Sequence, residues 1–76
     1  MRKNAFLTYD PSKDQWGVKL RGRWYRMSCG ERFGLKIGRT YVGCRLELDT
    51  TWYVELPDNT RFILHPRSAY SVSVEA

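Results

Sequence analysis

From Thr40 to Leu48 the chain alternates with a period of two: Val42, Cys44, Leu46 and Leu48 share one phase, and Tyr41, Gly43, Arg45 and Glu47 share the other. After Asp49-Thr50 the rhythm resumes, with Trp52, Val54 and Leu56 set against Tyr53 and Glu55. Successive side chains of a strand point to opposite faces, so this pattern predicts an antiparallel hairpin with one face on a core and the other in water. A helix would need apolar positions at 3.6 spacing, and no window of about 11 residues shows them. One helical turn around Pro66 to Ala69 is the most the sequence allows.

The remaining runs are short and separated by turn chemistry. Ala5 to Tyr9 leads into Asp10-Pro11-Ser12-Lys13-Asp14, where Pro and Asp favour chain reversal. Trp16, Val18 and Leu20 then alternate with Gly17, Lys19 and Arg21, and Gly22-Arg23 is expected to turn tightly into Trp24-Tyr25-Arg26-Met27. Ser28-Cys29-Gly30-Glu31 separates this hairpin from a run in which Phe33, Leu35 and Ile37 face inward. Gly38-Arg39, with Gly first, suits a type II′ turn into the strand from Thr40. Pro57-Asp58-Asn59 closes the next hairpin before Thr60 to Leu64, with Phe62 and Leu64 inward. His65-Pro66-Arg67 interrupts pairing because Pro lacks an amide donor, and the last run places Tyr70, Val72 and Val74 inward with Ser71 and Ser73 outward. Gly34 and Gly43, on outward phase, are expected to mark bends. The expected fold is all-β: a small SH3-like, partly open barrel of five to seven short antiparallel strands.

A chain of 76 residues fills one domain, residues 1–76, because a second core could not be packed. Domains this small bury a modest share of their surface, and the three Trp, five Tyr and three Phe are the compensation expected here. No apolar run approaches the roughly 18 residues of a membrane span. With no secretory segment ahead of Ala5, the expectation is a soluble cytoplasmic protein in which Cys29 and Cys44 stay reduced.

Thirteen Lys and Arg against eight Asp and Glu leave a net charge of +5, and nine of the thirteen bases are Arg. That field attracts nucleic acid, anionic membranes and acidic proteins alike; the guanidinium fork adds a preference for phosphate, carboxylate and aromatic rings. The densest basic block is Lys19, Arg21, Arg23, Trp24, Tyr25 and Arg26, with no acid between Gln15 and Gly30. Bases interleaved with rings suit nucleic acid, since cations neutralise phosphate while rings stack on unpaired bases. Arg32 and Lys36 extend the same candidate surface. The block also fits, and more simply, an edge hairpin whose charges prevent edge-to-edge pairing while Trp24 covers the core.

A second set, Tyr41, Arg45, Tyr53 and Arg61, stands on outward phase with Glu47 and Glu55, which are expected to neutralise much of it through cross-strand pairs. Side-by-side exposure of Tyr41 and Tyr53 would instead mark a protein-binding hot spot. No catalytic residue is nominated: His65 with Cys29 or Cys44 lacks an orienting acid and a prepared oxyanion site. The two cysteines and one histidine lack the close ligand pairs of a zinc site, so neither a metal nor another cofactor is expected.

The tract Gly38-Arg39-Thr40-Tyr41-Val42-Gly43-Cys44-Arg45-Leu46-Glu47-Leu48, followed by Trp52-Tyr53-Val54-Glu55-Leu56, Arg61-Phe62-Ile63-Leu64-His65-Pro66-Arg67 and Tyr70, resembles a family of small uncharacterised bacterial proteins. Its members occur chiefly in Gram-positive bacteria, often within integrative and conjugative elements. The resemblance implies a cytoplasmic accessory protein of a mobile element and carries no site residues with it. Leu7-Thr8-Tyr9-Asp10 and Pro66-Arg67-Ser68-Ala69-Tyr70 faintly resemble the peptide-gripping motifs of SH3 domains, but the paired tryptophans are missing. Two functions are therefore expected of a non-enzymatic binding module. The first is contact with nucleic acid through the basic block. The second is an inhibitor or adaptor that binds a host or element-encoded protein, for example a defence nuclease.

Overall fold

In the computed structural model, which describes residues 2–75, eight strands form one antiparallel sheet. They are β1 (Arg2–Asp10), β2 (Gln15–Leu20), β3 (Arg23–Arg26), β4 (Arg32–Ile37), β5 (Thr40–Leu48), β6 (Trp52–Glu55), β7 (Arg61–Ile63) and β8 (Tyr70–Glu75). Across the sheet the order is β3-β2-β1-β8-β4-β5-β6-β7. The chain thus makes two local meanders, and β8 joins them by pairing with β1 on one side and β4 on the other.

The all-β expectation agrees with this open sheet, although there are eight strands rather than five to seven. Period-two alternation selects the core directly. Leu7, Trp16, Val18, Phe33, Leu35, Cys44, Leu46, Val54, Val72 and Val74 all come from inward phases, and Met27 and Leu64 join them from just beyond β3 and β7. Fully burying a side chain such as Leu46 or Val54 is worth about 1.5–3 kcal/mol. Tyr9 and Tyr70 flank Trp16, with ring centroids 5.3 and 5.9 Å away.

The sheet coils around this core. β1 and β6 are four strand positions apart, about 19 Å in a flat sheet. Yet Asp14, in the turn after β1, accepts a 2.9 Å hydrogen bond from Trp52 Nε1 on β6. Among the described residues no helix is long and apolar enough to cross a membrane.

Several local expectations are corrected. The β2–β3 turn is Arg21-Gly22, not Gly22-Arg23: both residues have positive φ, 53° and 79°, as a two-residue type I′ turn requires, and Leu20 pairs directly with Arg23. At Gly38-Arg39 only Gly38 has positive φ, which fits the expected type II′ turn. In place of a helical turn near Pro66, Ser68 N–H donates to His65 C=O in a reverse turn. Ile37, Leu48 and Phe62 have inward phase but lie at strand ends or on the edge strand β7, where the core gives out, and all three are exposed. Phe62 still meets Tyr70 edge-to-face at 5.7 Å. Tyr53 and Ser73 have outward phase but are buried, because arginine side chains lie over them.

Candidate nucleic-acid interface

The ladder registers line up one row of side chains on the outer face of six neighbouring strands. Lys19 pairs with Trp24, Phe6 with Ser71, and Lys36 with Tyr41. One step along the ladders from Leu7–Val18 and Leu35–Val72, Phe6 falls opposite Lys19 and Ser71 opposite Lys36. Across β3, β2, β1, β8, β4 and β5 the row therefore reads Trp24, Lys19, Phe6, Ser71, Lys36, Tyr41. At normal strand spacing it is about 24 Å long. Its rings face water, with Phe6 61%, Trp24 37% and Tyr41 40% exposed. A shallow depression of about 530 Å³, bordered by Phe6, Thr8, Lys19, Trp24, Tyr41 and Ser71, runs along it.

Trp24 is seated rather than free. Its indole lies against Gly17 on the neighbouring strand, and its Nε1 donates to Thr8 Oγ1 at 3.3 Å. A Cβ at Gly17 would collide with Tyr25 C=O and stand 2.5 Å from Trp24 Cζ2, so only glycine leaves room for the ring. Farther along, Gly34 and Gly43 pair across β4 and β5; the Arg2 guanidinium and the Tyr41 side chain close over Gly34, whereas the space above Gly43 is open.

Lys19 and Lys36 form no ion pair with any described residue. The neighbouring Arg2 is already committed: its guanidinium hydrogen-bonds Ser73 Oγ, Ser73 C=O and Glu75. The row thus holds two uncompensated cations, Lys19 between Trp24 and Phe6 and Lys36 between Ser71 and Tyr41.

The eight residues nominated from sequence as a nucleic-acid surface separate into groups. Lys19, Trp24 and Lys36 join the row. Arg21, Tyr25, Arg26 and Arg32 instead surround a second cavity, of about 540 Å³, floored by apolar residues such as Leu20 and Met27. Glu31 and Glu75 share its rim, so its charge is mixed. Arg26 starts on Trp24's phase but reaches along the sheet edge to hydrogen-bond Ser28 Oγ at 3.2 Å. Arg23 has Tyr25's phase and is exposed beside the turn. The expectation that Lys19 and Arg21 share a face fails because Arg21 belongs to the turn.

The second sequence cluster is also rearranged. Tyr41 pairs with Lys36, whereas Tyr53 pairs with Glu47, six residues farther along β5, so the two tyrosines do not stand together. Tyr53 is only 8% exposed, with Arg61 Cζ 4.6 Å from its ring centroid. Arg45 pairs with Glu47 and with Glu55, the latter at 2.7 Å. The Glu47 hydrogen bond, reinforced by the charge of Glu55, pushes the guanidinium's pKa above its ordinary value. Arg61 also lies 3.8 Å from Asp49.

Cys29 and Cys44 are free thiols. Burial pushes Cys44 up to about 12, which keeps it protonated and unreactive at neutral pH. The His65 N–H donates to Tyr70 Oη at 2.9 Å, an ordinary structural corner. Among the described residues no three His, Cys, Asp or Glu gather as a metal site.

Sequence reasoning missed Phe6 and Gly17. With Ala5, Leu7 and Tyr9 inward, Phe6 had to be outward, and a large ring on outward phase was the available signal. Nothing in the sequence showed that Gly17 would be the seat of Trp24.

Fold and surface together define a small all-β domain whose single coiled sheet carries a basic and aromatic row. The family model for a domain of unknown function, DUF5348, matches residues 5–74, and the chain belongs to that family. No curated protein and no solved structure matches it.

Proposed function

We propose that this protein is a non-enzymatic module that binds nucleic acid through the outer-face row, as a cytoplasmic accessory factor of a mobile genetic element. The observation that carries the reading is the alternation of the unpaired Lys19 and Lys36 with Trp24, Phe6 and Tyr41 along one row. Cations supply affinity by displacing counterions from phosphate, and exposed rings supply contact area for bases. The net charge of +5 strengthens encounter. The mobile-element context rests on the resemblance of the tract from Gly38 to Tyr70 to small proteins carried on such elements.

The test is binding of a labelled oligonucleotide across a salt series. Affinity is expected to fall steeply with salt, and the double variant Lys19→Gln with Lys36→Gln to lower the slope by about 1.4, or about 0.7 per lost phosphate contact on a single strand. Arg61→Gln, on the paired part of the face, is expected to leave the slope unchanged. Absence of salt-sensitive binding at low ionic strength overturns the reading.

A second reading, a protein-binding inhibitor or adaptor, is favoured by the exposure of Phe6, a ring with no polar group of its own. Capture of a protein partner that survives nuclease digestion of a host lysate, by wild type and not by Phe6→Ala, would support it.

A further inference from the structure

Resting on the nucleic-acid reading, we infer that the row takes a single strand, DNA or RNA, laid across the β-strands from β3 to β5. Unpaired bases stack on Trp24, Phe6 and Tyr41, and phosphates sit at Lys19 and Lys36. Geometry separates this from duplex binding. Direct reading of B-DNA needs a helix or a two-stranded ribbon slim enough for a major groove about 12 Å wide. The row lies on a face six strands broad, and its side chains come from the middle of the ladders rather than from a projecting hairpin. Such a face cannot enter a groove.

The rings point the same way. A duplex hides the faces of its bases in its own stack, so exposed aromatic side chains gain most from bases that are unpaired. Trp24 and Phe6 are two strands apart and Phe6 and Tyr41 three, about 10 and 14 Å, with a lysine in each interval. Each ring-to-ring interval thus contains one cation for the backbone between stacked bases. Trp24 is already fixed by Gly17 and Thr8, so little side-chain freedom is lost when a base lands on it. Ring stacking tolerates any base, so the row itself recognises strandedness rather than sequence; the side-chain amide lining the same depression is that of Asn4, beside Phe6.

The experiment compares labelled oligo-dT, oligo-U and a blunt duplex of equal length at low salt, with the full chain and with Phe6→Ala, Trp24→Ala and Tyr41→Ala. Single strands are expected to bind at least ~10-fold tighter than the duplex. Each alanine variant should weaken them about 5- to 150-fold, the range for loss of one stacked base. Affinity should rise with length until the strand spans the row of about 24 Å and then level off, since nucleotides beyond Trp24 and Tyr41 meet no further ring or lysine of the row. Trp24→Phe, which keeps a ring, should retain binding while losing the tryptophan quenching that accompanies it, which separates stacking from a folding defect. Equal or tighter duplex binding, or single-strand binding indifferent to all three alanines, overturns the inference and leaves the nucleic-acid reading standing. Absence of salt-sensitive binding to every probe removes both.

Discussion

Over β5, β6 and β7 the arginines of the outer face are answered locally: Arg45 by Glu47 and Glu55, Arg61 by Asp49 and the ring of Tyr53. Over β3, β2, β1, β8 and β4 Arg2 is answered by Glu75, but Lys19 and Lys36 face water and form no ion pair with a described residue. The residue types are nearly the same in the two regions. What differs is register: β5 and β6 set Arg45 opposite Glu55, whereas the row sets Lys19 opposite Trp24 and Lys36 opposite Tyr41. Cross-strand neighbours thus decide whether a basic residue completes the fold or remains available to a partner.

Three substitutions break or sharpen this contrast, in order of expected effect. Gly17→Val places side-chain atoms where Tyr25 C=O and the Trp24 indole already stand, so β3 must shift. A loss of about 2–3 kcal/mol is expected, read as a lower urea midpoint, together with changed Trp24 emission. An unchanged midpoint would mean that the ring has no fixed seat. Gly43, on the same face but with open space above it, offers the matched control for an added Cβ.

Asp14 ties the two regions together. The Tyr9 hydroxyl, foremost, and Trp52 Nε1 donate to its carboxylate and hold its pKa below the ordinary 3.8. A carboxylate lowered on folding contributes stability that is full above its unfolded value and is lost as pH falls through the folded one. Wild type should therefore lose stability as pH falls below about 4, and Asp14→Asn, which keeps an acceptor without the charge, should lose less over that range. Parallel acid profiles for the two proteins would contradict this assignment. The smallest effect concerns Arg21, held at φ 53° in the β2–β3 turn. Arg21→Asn relieves a conformation that Asn tolerates better, and a gain of about 0.5–1 kcal/mol in chemical unfolding is expected, with the row's binding unaltered.

The strands and most of the core were legible because side-chain alternation is a local property: Val54, Leu46 and Trp16 follow from the phase of their own runs. Turn chemistry was mostly legible too, since Gly38 needs no distant partner. The row was not, because it depends on non-local pairing. Phe6 and Lys36 share it only because β8 lies between β1 and β4, and no feature of either run announces that neighbour. Tyr53 was misplaced for a related reason: its phase is outward, but a guanidinium from another strand covers it. Side-chain cover, unlike strand phase, cannot be read from spacing.

The seam made by β8 has a consequence for assembly. β1 to β3 and β4 to β7 are meanders built from neighbouring hairpins, quick to form because their loops are short, whereas Arg2 meets Glu75 only after the whole intervening chain has been emitted. Until that late strand slots home, Phe6 and Tyr41 belong to separate ribbons and no platform exists. Affinity for a ligand along the row would then report that the two ribbons have been zipped into one body, and a nascent chain stalled ahead of Tyr70 would display rings and charges with no common surface to hold them.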